Sequence, residues 1–83
     1  MTLREAIKLI WTRNNRLHGS EDREWLHLFL GRFIMCATGH FIGAYDRQTM
    51  EALTVFADAP LRDVRTELIR LFNEINETEE VSA

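Results

Sequence analysis

The apolar positions of this chain fall into four blocks separated by polar or glycine-containing breaks. In the first, Leu3, Ala6, Ile7, Ile10 and Trp11 recur at three- and four-residue spacings, with Arg4, Lys8 and Thr12 on the other side. That period belongs to an amphipathic helix. Thr2 and Glu5 form a capping-box pair at its start, in which the threonine hydroxyl accepts from the residue 5 amide and Glu5 reaches back to the first amide. Asn14 and Asn15 mark its end, and the stretch to Gly19 reads as a connection.

Ser20 is the expected N-cap of a second helix, with Glu21, Asp22 and Glu24 favoured in its first turn by the helix dipole. Wound at 100° per residue, Trp25, Phe29, Phe33, Ile34, Cys36 and Phe41 fall on one half of the circumference with their apolar neighbours. Leu28 and Met35 form a second patch nearer Gly31. Gly39 and Gly43 close this helix, and Asp46 caps a third, on which Met50, Leu53, Phe56 and Ala57 share a side. Pro60 opens a fourth, with the cleanest stripe in the chain: Leu61, Val64, Leu68, Leu71, Phe72 and Ile75. No Asn-Gly or Asp-Gly hairpin turn and no long period-two run competes. The expected fold is therefore all-α, a small four-helix bundle-like domain over 1–76 with helix two at its centre and a frayed acidic tail over 77–83.

Length limits what such a domain can do. Eighty-three residues make one modest core, and folding at that size buries only about 60% of the unfolded chain's surface. Two tryptophans and five phenylalanines exceed what three short helices cover on helix two, so a symmetric homodimer is expected, with Trp25, Phe29, Phe33 and Phe41 in its core or interface. Residues Trp25 to Tyr45 approach membrane-spanning length, but Arg32 near the middle argues for a buried element. The apolar residues at the N-terminus are interleaved with charge and carry no signal-peptide pattern. With Cys36 as the one cysteine, no intrachain disulfide forms, which suits a reducing cytoplasm.

Charge is divided unevenly. Residues 1–45 carry six Lys/Arg and four Asp/Glu, and residues 46–83 carry four Arg and nine Asp/Glu, for a net −3 overall. This balance argues against general nucleic-acid binding. No phosphate-binding glycine loop is present among glycines 19, 31, 39 and 43. Cys36 and His40 stand four apart, the spacing of half a helical zinc site, which His18, Asp46 or a second copy would have to complete. The bland alternative is a thiol packed as an apolar group, its pKa raised by burial and its reactivity low. The expected protein is non-enzymatic, with no cofactor and no bound metal.

The leading expectation is a cytoplasmic interaction protein that occludes or scaffolds a protein partner with a basic surface. The partner would be met by Asp63, Glu67 and Glu74 on helix four and by Leu28 and Met35 on helix two. In size and charge alone the chain resembles phage- and plasmid-encoded inhibitors such as anti-CRISPR proteins. One rival is a dimeric helix-turn-helix regulator using Arg62, Arg65 and Arg70 of helix four. Another is a metal-dependent module through Cys36 and His40.

Overall fold

A computed structural model describes residues 1–19 and 25–82. The chain runs α1 (Leu3–Leu17), β1 (Leu26–Leu30), β2 (Phe33–Ala37), β3 (Ile42–Asp46), β4 (Ala52–Phe56) and α2 (Leu61–Ser82). The four strands form one antiparallel sheet in sequential order. The fold is thus α+β, and the expected all-α four-helix bundle is wrong.

Both terminal helices form where their stripes predict. At α1, the Glu5 amide donates to Thr2 Oγ1 at 3.2 Å, as expected, whereas the Glu5 carboxylate accepts from the Thr2 hydroxyl instead of reaching the first amide. Pro60 precedes α2, and its carbonyl accepts from the amides of Asp63 and Val64. The expected N-cap Ser20 and its acidic turn lie outside the described residues.

The central segment is where helical reading fails. What was expected as helix two is the β1–β2 hairpin: Leu30 pairs with Phe33 across a two-residue turn in which Gly31 holds φ +61°. Glycine at the first turn position adopts that conformation without a Cβ penalty, and the turn's twist matches the strands. What was expected as helix three is the end of β3, a loop and β4. Asp46 closes β3 rather than opening a helix, although its Oδ1 does accept from the amides of Gln48 and Thr49. The apolar residues alternate in strand fashion, but both alternating sets are apolar, and this masks the period of two.

The core lies between the sheet and the two helices. Ala6, Ile7 and Ile10 of α1 and Val64, Leu68 and Leu71 of α2 bury against Phe33, Met35 and Ala37 of β2 and Ile42 and Ala44 of β3. Phe33 meets the ring of Phe72 edge-on at 5.9 Å. Leu3 and Ile7 share a groove with Arg65 and Ile69, while Trp11 and Asn14 stand beside Pro60 and Val64, so the helices run antiparallel. Each large side chain fully buried here contributes roughly 1.5–3 kcal/mol.

Candidate interaction surface

A sheet has two faces, and α1 and α2 lie on the same one. The strand registers arrange the other face in two rows. His27, Cys36, Gly43 and Val55 form one; Phe29, Ile34, Tyr45 and Ala52 form the other. None of these eight side chains carries a formal charge, apart from any protonated histidine. No described helix covers them. Phe29 is 59% exposed and Val55 50%, and Trp25, Phe41 and Met50 are also exposed around the same face.

The surface is uneven. Trp25, His27, Ile34, Cys36, Tyr45 and Met50 line a hollow of about 290 Å³, with Ile34 and Cys36 buried at its base. The Tyr45 ring leans over Gly43, where an added Cβ would stand 2.9 Å from it. Phe29 projects beside the hollow, with the His27 ring stacked near it at 6.5 Å and the Arg47 guanidinium 5.2 Å from its centroid. The face therefore carries a protrusion next to a depression.

An ion pair ties the ends of the central strands together. Arg32 Nε and Nη2 donate to the Asp46 carboxylate at 3.0 and 2.7 Å, and the amides of Gln48 and Thr49 donate to the same group. The Arg32 guanidinium holds the Asp46 carboxyl below its ordinary pKa against the opposing effect of burial, and the two amides add to the effect. The clamp fixes the loop after β3, in which Met50 holds φ +59°.

Cys36 sits on this face with its thiol pushed up to about 11 by burial, so at neutral pH it is protonated and a poor nucleophile. His40 lies in the β2–β3 turn, and its four-residue spacing from Cys36 runs along a strand end instead of one helical turn. Among the described residues, no group of three His, Cys, Asp or Glu side chains is placed to hold a metal ion. No family of known proteins, no curated protein and no solved structure matches the chain.

The remaining candidate residues scatter. Met35 is fully buried and Leu28 packs against the core, so both point into the helical layer. Phe33 is likewise in the core, whereas Trp25, Phe29 and Phe41 are exposed. Glu67 and Glu74 both bind Arg70, at 2.6 and 2.7 Å, whose one positive charge is shared between the two carboxylates, and Asp63 stands 3.7 Å from Arg62. The same contacts occupy Arg70, one of the expected DNA-reading residues, while Arg62 and Arg65 are exposed. The helix-turn-helix reading also loses its first helix, because β4 stands in its place. Sequence reasoning did not single out His27, Tyr45 and Val55 as surface residues, and it placed Ile34 on the apolar half of a helix. The signal that could have found them is Gly31 as a hairpin turn, after which every second residue follows. Among the described residues, no helix is long and apolar enough to cross a membrane.

Proposed function

We propose that the protein is a non-enzymatic interaction module that works through the helix-free face of its sheet, and that the occupant of this face is a second copy of the chain. The observation that carries the reading is the uncharged apolar face with Phe29 standing beside its own hollow. A twofold axis would place each Phe29 against the partner's depression, the self-complementary arrangement that closed dimers require. A partner of opposite charge would find nothing to read on these two rows.

Size and charge support the same occupant. Four strands about 4.8 Å apart, each five residues long at about 3.3 Å per residue, give a face of roughly 19 by 17 Å. With the flanking Trp25, Phe41 and Met50, two such faces bury on the order of 1,000 Å², where specific interfaces begin. Sheets stack about 10 Å apart, so the α2 carboxylates of two copies would lie on the order of 30 Å from each other, well beyond the Debye length. The net charge of −3 is then little obstacle to pairing. The single cysteine supports placing the protein in a reducing compartment such as the cytoplasm.

Sedimentation equilibrium from micromolar to several hundred micromolar tests the proposal. The expected result is a mass moving from the 9.8 kDa monomer to twice that value, with Val55→Lys holding the chain monomeric and folded. A chain that stays monomeric throughout, or a dimer indifferent to Val55→Lys, would overturn it.

A further inference from the structure

On the helix side of the sheet, apart from the proposed dimer face, a cleft of about 460 Å³ opens between the last turns of α1 and the chain leading from β4 into α2. Its floor is apolar, with Ile42, Phe56 and Val64, and Trp11 stands at one wall. His18 and Asp58 form the rim, their side chains 62% and 84% exposed. Asp58 holds φ +55°, which turns the chain ahead of Pro60.

Asn14 is the anomaly. It follows Ile10 by one helical turn on the stripe that α1 buries, where an apolar residue is expected. It is only 9% exposed, lines the cleft, and its carboxamide makes no hydrogen bond to any described residue. Its polar atoms are not among the buried ones that lack a partner, so the amide meets the open cleft and is available there to a partner that arrives from outside.

The chemistry of that partner follows from the lining. Asp58 is the one carboxylate and, among the described residues, no Lys or Arg lines the cleft, so its formal charge is negative. One Asp58 oxygen stands a long 3.4 Å from His18 Nε2, leaving the other open to a ligand. Acceptors thus lie at two depths, Asp58 at the rim and Asn14 below it, with Trp11 in the same lining. A compact ammonium is a point charge suited to the carboxylate alone, whereas a planar fork of N–H donors has bonds to offer both acceptors and a flat face to offer an aromatic ring.

We infer that the cleft binds a planar guanidinium or amidinium carried on an apolar stem. Asp58 takes the charge, the Asn14 carbonyl oxygen accepts an N–H bond, and Trp11 stacks against the planar group. The source is either a free small cation or an arginine side chain of another protein. This inference does not depend on the dimer and holds equally for a monomer.

The test is an NMR titration of the full chain with benzamidine, with the capped peptide acetyl-Gly-Arg-Gly-amide, and with the same peptide carrying neutral citrulline. The Asn14 side-chain amide and Trp11 indole N–H signals are expected to move with one or both cations and not with citrulline. Tighter binding of the peptide identifies an arginine side chain as the source; tighter binding of benzamidine identifies a free amidine. Asp58→Asn is expected to weaken binding at least tenfold. Asn14→Leu is expected to weaken binding similarly with an unchanged or higher thermal midpoint, because leucine fills the site without needing a partner. No movement with either cation at millimolar concentration, equal movement with citrulline, unchanged affinity in Asp58→Asn, or a midpoint lowered by several degrees in Asn14→Leu would each overturn the inference.

Discussion

The two faces of the sheet are built from the same five-residue strands, and both are rich in apolar side chains. On one, Phe33, Met35, Ile42 and Ala44 disappear beneath α1 and α2. On the other, Phe29 and Val55 remain half exposed or more, with only neighbouring side chains around them. Hydrophobicity alone does not separate a core from an interface; the difference is which face the chain's own helices reach. The exposed apolar face is the ground for the proposed association, since such patches are often functional.

Substitutions on matched positions sharpen that contrast. Phe33→Ala, which empties a fully buried ring site under Phe72, is expected to cost about 3–5 kcal/mol of folding stability by chemical denaturation. Phe29→Ala one hairpin away is expected to cost the monomer less than about 1 kcal/mol while weakening association roughly 30-fold, as hot-spot aromatics do. Equal losses of folding stability at the two positions would break the distinction between the faces.

Asp46→Asn comes next. It leaves Arg32 without its carboxylate partner and is expected to cost about 2–3 kcal/mol. The wild-type carboxyl titrates below its ordinary value when folded. Its stabilisation is therefore fully present above the ordinary carboxyl pKa of about 3.9 and is lost as pH falls through the lower folded pKa. Thermal midpoints followed from pH 6 downward are expected to lose this component in the wild type, while Asp46→Asn lacks it throughout.

A smaller effect joins the helical layer to the sheet. Gly39 holds φ +125°, and a Cβ there would stand 2.7 Å from both the side chain and the carbonyl oxygen of Leu17. Gly39→Ala is expected to cost about 1–3 kcal/mol from backbone strain and that clash. Smallest of all, Glu67→Gln on the exposed ion pair with Arg70 is expected to change stability by less than about 1 kcal/mol.

The sequence made the two ends legible and the middle illegible. The stripes of α1 and α2 face one core each way, so polar residues fill the opposite side and the helical period stands out. Between Trp25 and Tyr45, by contrast, 14 of 21 residues are apolar, because one strand face meets the helices and the other is apolar as well. With both faces hydrophobic, a period of two leaves no polar trace, and winding the segment as a helix places its apolar residues almost as well. Gly31 was the discriminating residue: costly in a helix interior, it is required at the positive φ of the hairpin turn. For the same reason Leu28 and Met35 read as surface patches when they belong to the core. The chemistry was easier to judge than the geometry, since a buried, protonated Cys36 follows from its apolar neighbours in either conformation.

An isotope-filtered NOE experiment on a mixture of labelled and unlabelled chains tests the central claim most directly. The expected result is contact between the Phe29 ring of one copy and the Ile34, Cys36 and Tyr45 side chains of the other. Intermolecular contacts that avoid both strand rows, or none at concentrations where the chain is dimeric by mass, would contradict the account.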